Sequence, residues 1–301
     1  MTAVRREPRE LELAVPMGHR VHLPGRGTTF VREAGPDDAP TVVLLHGLMA
    51  TGGLNWFQCF EPLAERHHVL APDLRGHGRG VHSRRRLTME DCADDVAAML
   101  DLLGVRNGVI VGHAFGAAVA EVLWRRHRRH VGALALIGHG AEYELLGPER
   151  LIVSMLPDLG VAVTRSLGVL GLVPNAIAER IVVSPAQTTR AETLRKWARR
   201  EMQRNSTQAV LEGAWALARF RSAGWVADID VPTTVVVTER DTVVRPRAQR
   251  ELAGRIPDAH EVSYDGDSRA FLEPAFGSML AEVCDELVER MAADDHKRAE
   301  A

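Results

Sequence analysis

Lysine is nearly missing from these 301 residues: it occurs only at Lys196 and Lys297, and the other basic side chains are arginine. That bias points to GC-rich coding more than to a function. Cysteine is scarce too, and Cys59, Cys92 and Cys284 stand far apart. Their spacing matches no metal site, three thiols cannot all pair, and a reducing cytoplasm is the expected setting. Charge of one sign is not in excess, since 37 basic residues face 40 acidic ones for a net charge of −3, which removes any general attraction to nucleic acid or to an anionic membrane. No apolar run approaches about 18 residues, and the opening MTAVRREPRELELAV lacks an apolar segment of signal-peptide length. Neither a membrane span nor an export signal is expected. Internal repeats and low-complexity linkers are absent as well. What is present, 46% hydrophobic and 26% charged residues, describes one large globular domain or a domain with an insertion.

Short apolar runs alternate with longer helical patterns, which predicts an α/β fold with a mostly parallel sheet covered on both faces. Strands are expected over Glu10 to Val15, Thr28 to Arg32, Thr41 to His46, His68 to Ala71, Gly108 to Gly112, Val131 to Ile137, Thr233 to Val237 and Glu261 to Tyr264. Helices are expected over Met89 to Leu103, Phe115 to Arg128, Arg247 to Arg255 and Phe271 to Met291, with a polar tail from about Ala292. Near-continuous apolar strands such as TVVLL and TTVVV belong at the buried centre of such a sheet. From Ala141 to Asn205 the alternation stops, and Leu- and Val-rich segments are punctuated by Pro157, Pro174 and Pro185. This predicts a helical cap over 141–205 between core segments 1–140 and 206–301. Its stretch LIVSMLPDLGVAVTRSLGVLGLV would suit a hydrophobic or acyl-bearing ligand, although the same side chains could pack on one another.

The segment GVIVGHAFGAAVAEVLW, Gly108 to Trp124, reads as a buried strand, a tight turn and a helix. Glycines at 112 and 116 flank the turn, but Ala114 stands where a Gly-x-Ser-x-Gly turn has its serine. Four other motifs follow the same order along the chain. VVLLHGLMA ends a strand in His46-Gly47; APDLRGHGRG follows the next strand; VVVTERDTVVRP places Asp241 past a buried strand; and DGDSRAFLEP places Ser268 past the last strand and before the last helix.

With these five motifs the chain resembles the α/β-hydrolase superfamily, particularly its bacterial esterase, lipase and C–C hydrolase-like members with a helical cap, over roughly Leu23 to Met291. The resemblance implies an eight-stranded sheet with the cap inserted after the sixth strand. It also implies that Ala114 occupies the nucleophile position, Asp241 the acid position and Ser268 the histidine position. The backbone amides of Leu48 and Phe115 would form an oxyanion hole, and His46, Gly47 and Met49 would border the ligand. No metal or organic cofactor is implied. Losing the serine or the histidine costs on the order of 10⁶ in turnover, so Ser-His-Asp hydrolysis is not expected.

Among possible substitutes, His260 begins the last strand, about 16 Å from the Ser268 loop, at the wrong end of the sheet. His113 and His139 stand at carboxyl ends of strands, where each could act chemically or be a satisfied loop histidine. Asp241 and Asp267 could serve as bases if desolvated, or could cap and turn the chain. The basic run WRRHRRH, Trp124 to His130, reads as a solvated face with favourable charge at a helix C-terminus. Three functions stay open: an enzyme of lyase, isomerase or cyclase type, a ligand-binding pseudo-hydrolase, and a serine esterase in inactivated form. In each case the partner is a hydrophobic small molecule; the oligomeric state is left open.

Overall fold

The computed structural model describes residues 15–143 and 189–300. Eight strands form one sheet: β1 (Gly18–Leu23), β2 (Gly27–Ala34), β3 (Thr41–Leu45), β4 (His68–Pro72), β5 (Gly108–His113), β6 (Val131–Ile137), β7 (Thr233–Thr238) and β8 (His260–Tyr264). Their spatial order is β1-β2-β4-β3-β5-β6-β7-β8. β2 is antiparallel to both β1 and β4, and the remaining six strands run parallel. The described helices are α1 (Gly52–Trp56), α2 (Phe60–Ala64), α3 (Met89–Leu102), α4 (Phe115–Arg126), α5 (Thr189–Gln203), α6 (Thr207–Ala218), α7 (Pro246–Ala253) and α8 (Pro274–Glu300).

The central strands are apolar on both faces because both faces are covered. Val43, Leu45, Ile110, Leu134, Leu136 and Val235 pack with α3 and α4. Their neighbours Val42, Leu44, Val109, Val111, Ala135 and Val236 pack with α1, α2 and α8 on the other side. This is the two-residue period of a strand, with a hydrophobic layer on each side.

Several boundaries differ from expectation for local reasons. The strand expected over Glu10 to Val15 falls largely outside the described residues, and the first described strand is Gly18–Leu23. α8 begins at Pro274 and not at Phe271, because proline lacks an N–H and is tolerated in the first helical turn. A separate 3-10 turn holds Ala270–Leu272. The backbone expected to fray from Ala292 continues helical to Glu300. α4 stops at Arg126, and the basic run after it is paired more than solvated. Arg126 and His127 both bind Asp94, Arg128 binds Asp230, Arg129 binds Asp101, and buried His130 donates to the Val105 carbonyl.

Of the expected cap, 144–188 lies outside the described residues. Its last part is α5, where Trp197 stacks edge-on against Phe57 and the Thr51 hydroxyl donates to Glu201 at 2.9 Å. Asn205, just beyond, donates to the Met49 carbonyl and accepts from the Gly78 amide, tying the loops after β3 and β4 together.

Candidate functional site

β5 delivers the chain to Ala114, whose backbone sits at φ 47° and ψ −105° before α4 starts at Phe115. An L-residue there is strained by about 1–3 kcal/mol, so the surroundings must hold it. They do so by close packing. A β-carbon on Gly112 would come within 2.4 Å of the Ala117 Cα, and one on Gly116 within 2.1 Å of the Leu45 carbonyl oxygen. The Ala114 amide donates to the Ile137 carbonyl at 2.9 Å, and its own carbonyl accepts from the amides of Ala117 and Ala118. The sharp turn therefore persists with a methyl group at its apex.

The two amides singled out in the sequence stand on neighbouring strand ends, Leu48 just after β3 and Phe115 at the start of α4. Among the described residues, neither amide has a hydrogen-bond partner. Gly213 of α6 lies over both side chains, close enough that a β-carbon there would meet Leu48 Cδ1 at 2.8 Å and Phe115 Cε2 at 3.4 Å.

Asp241 follows β7 in a buried turn. Its Oδ1 accepts from the amides of Val243 at 2.7 Å and Val244 at 3.0 Å, and its Oδ2 accepts from the Thr238 hydroxyl at 3.1 Å. Burial raises its pKa despite these donors, and the charge of Asp267 adds to the rise. Asp267 itself is held ionised by Arg269 at 2.6 Å, which lowers its pKa. Ser268 sits half-buried in the turn between Asp267 and the Ala270–Leu272 turn, where Phe271 meets the His113 ring edge-on with centroids 5.4 Å apart.

His113 is the histidine that faces this cluster. The Gly47 amide donates to Asn55 Oδ1 at 2.9 Å, which fixes that atom as the oxygen, so His113 Nδ1, 3.2 Å away, must carry the hydrogen it donates to the same oxygen. Nε2 is then the unprotonated nitrogen. It and Asp241 Oδ2 face one point beside Gly138, lying 3.7 and 3.5 Å from where a β-carbon would stand. Burial lowers the His113 pKa to about 4, so the ring is neutral.

The other histidines are engaged in the scaffold. His46 was expected to border a ligand, but it is fully buried, with Nδ1 donating to the Gly47 carbonyl at 2.8 Å and Nε2 accepting from the Leu74 amide at 2.9 Å. Both nitrogens are taken, so its role is to hold the loops after β3 and β4. Gly47 is required beside His113, since a β-carbon would meet His113 Nδ1 at 2.8 Å. Met49 adopts φ 66°, turning the chain away from β3. His139 is fully buried: Nδ1 is 2.6 Å from the Tyr143 hydroxyl and Nε2 is 3.2 Å from Glu121 Oε1. The Tyr143 hydroxyl also donates to the Ala114 carbonyl at 3.3 Å, so this buried trio braces the elbow from behind. His260 pairs with Glu286 on the exposed side of β8.

Asn55, Tyr143, Glu121 and Phe271 escaped the sequence reading. Only Glu121 carried a signal, as one acidic residue inside the apolar helix AAVAEVLW. For metals, one group among the described residues has ligand spacing: Glu33, Asp37 and His68, with ligand atoms within 4.8 Å of one another. It lies at the start of β4, at the opposite end of the sheet from the elbow.

The family model for the alpha/beta hydrolase fold matches residues 40–274, a span from β3 past the Ser268 loop. The chain belongs to this family. Among curated proteins it is 27% identical to a putative carbamate hydrolase RutD of Azorhizobium caulinodans, covering 83% of this chain and 93% of that one. Among solved structures, the enol-lactonase of Burkholderia xenovorans superposes with a TM-score of 0.74 at 20% identity, over 90% of this chain and 99% of that one. A thermophilic esterase of Thermogutta terrifontis gives 0.72 at 21%, over 91% and 98%. These structural likenesses extend the fold comparison across nearly the whole chain. Among the described residues no helix is long and apolar enough to cross a membrane.

Proposed function

We propose that this α/β-hydrolase-fold chain binds a small carbonyl-bearing molecule over the elbow and leaves it unhydrolysed. Ala114 carries this reading. A methyl group occupies the turn that presents a nucleophile, and Ser268 occupies the loop that would present its base, so no acyl-enzyme can form. The Leu48 and Phe115 amides would receive the carbonyl oxygen, a binding role that needs neither missing side chain. Neutral His113 Nε2 would accept a hydrogen bond from a ligand hydroxyl or N–H. A pKa of about 4 suits an acceptor better than a general base at neutral pH. Ligand binding is therefore favoured over lyase, isomerase or cyclase chemistry, and the inward engagement of His139 points the same way.

The similarity to a putative carbamate hydrolase favours a carbonyl ligand. We assign 141–205 as a cap, whose apolar sequence would favour an acyl or polyketide-like chain. We place the protein in the cytoplasm on its three buried free thiols. A second reading, a serine esterase in inactivated form, is favoured by the elbow backbone, which keeps the strained geometry of a working nucleophile turn around an alanine.

The test is to titrate the protein with p-nitrophenyl esters of increasing acyl length while following its melting temperature and p-nitrophenolate release. Binding predicts a saturable rise in melting temperature with release at the solvent rate. Absence of any shift across the series, or enzymatic release, would overturn the proposal.

A further inference from the structure

A cavity of about 710 Å³ opens on the outer side of α3 and α4, roofed by α6 and the loop that carries Trp225. It shares no residue with the elbow cluster. Its chemistry is unusual for a chain of net charge −3. Of the arginines on its walls, Arg126 is neutralised by a two-pronged bond to Asp94, and Arg221 lies 3.5 Å from Glu142. Arg86, Arg125 and Arg219 also line it, and among the described residues none of them has a carboxylate partner.

These three guanidinium groups are nonetheless held in place. The Arg86 carbon centre stands 3.6 Å from the Trp215 ring centroid, and that of Arg219 stands 4.9 Å from the same ring. Arg125 lies 4.8 Å over Trp225, which in turn stacks on Trp124 at 6.2 Å and an interplanar angle of 9°. Stacking on an indole pins a guanidinium plane while leaving its N–H edge free to meet oxygen. The ordering entropy of the long side chains is thus spent before a ligand arrives. Arg86 Nε and Nη2 and Trp215 Nε1 are buried with no hydrogen-bond acceptor. Donors so placed favour a ligand made of acceptors.

We propose that this groove binds a small organic phosphate with at least two negative charges. Phosphate oxygens accept in the plane of a guanidinium fork and can be shared among several arginines, which a single carboxylate does less well. The volume falls within the range of about 300–1,000 Å³ typical of small-molecule sites and exceeds what an inorganic anion fills.

The test is calorimetric titration of the full chain with ADP and with pyrophosphate, repeated at low and at high salt. Saturable one-site binding that weakens at high salt is expected. Arg86→Gln and Arg219→Gln should each weaken it about tenfold or more, whereas Arg126→Gln, whose native partner is Asp94, should change it less than threefold or so. Arg86→Lys separates charge from geometry: it keeps the cation, loses the fork and should bind nearly as poorly as Arg86→Gln, with an unchanged far-ultraviolet spectrum showing that the fold survives. Tighter binding of ADP than of pyrophosphate means the groove also holds the nucleoside; equal binding means it reads the phosphates alone, and both results support the site. No saturable binding by either probe, or binding indifferent to Arg86 and Arg219, overturns it.

Discussion

Glu121 Oε1 lies 3.2 Å from His139 Nε2, and neither side chain has any exposed surface. The distance is within ion-pair reach, yet the alignment falls outside that of a hydrogen bond. A fully buried polar pair of this kind contributes little net stability compared with well-packed apolar residues, but removal of one partner strands the other.

Glu121→Ala or His139→Ala should therefore destabilise the protein by roughly 3–5 kcal/mol, while the double change Glu121→Met with His139→Leu should cost clearly less than the sum of the singles. Urea denaturation of the three variants checks this. Additive losses would mean that the two side chains do not depend on each other.

Acid should destabilise this fold earlier than carboxylate protonation alone explains. Burial lowers the folded-state pKa of His46 and His113 to about 4 and of His77 to about 3, below the 6.5 of an unfolded histidine. Between those values the unfolded chain binds more protons, so the stability is fully present above about pH 6.5 and is lost as pH falls toward 4 and then 3. By this linkage His46 and His113 each contribute roughly 3 kcal/mol and His77 roughly 5 kcal/mol. Asp73 and Asp241 act in the opposite direction, since burial raises their pKa values and protonation then favours the folded state. Urea midpoints should hold from pH 7.5 to about 6.5 and fall from there to pH 5; a flat profile throughout would contradict burial of the three neutral rings.

The elbow should respond to backbone substitution in opposite senses at Gly116 and Ala114. Gly116→Ala forces a β-carbon against the Leu45 carbonyl, and a loss above about 2 kcal/mol is expected. Ala114→Gly relieves a strained φ and should be neutral or stabilising by about 0.5–1 kcal/mol. Thermal melting of the two variants decides, and destabilisation by Ala114→Gly would show that the turn is not under strain.

Much of the architecture was legible because its signals are local. TVVLL and TTVVV are near-continuously apolar, since β3 and β7 are covered on both faces, and the five ordered motifs sit where the strands end. The edge strand β1 was not legible: GHRVHL shows its inward and outward residues as a mixed polar run. α1 and α2, five residues each, are too short to show a helical period. Within the site, Ala114, Asp241 and Ser268 were readable as positions in a pattern. The tautomer of His113 was not, because it depends on Asn55, fifty-eight residues away in sequence, and on the Gly47 amide that fixes which atom of Asn55 is oxygen. The engagement of His46 was not legible for a related reason: the Leu74 amide that occupies its Nε2 arrives from the loop after β4.

The central claim, that an intact hydrolase scaffold has lost its serine chemistry at two positions, is tested most directly by p-nitrophenyl ester turnover of four proteins: the chain itself, Ala114→Ser, Ser268→His and the double change. The account predicts turnover above the solvent rate only in the double change, exceeding either single by about 10³ or more, because nucleophile and base act as one unit. Turnover by the unaltered chain comparable to that of the double change would contradict it.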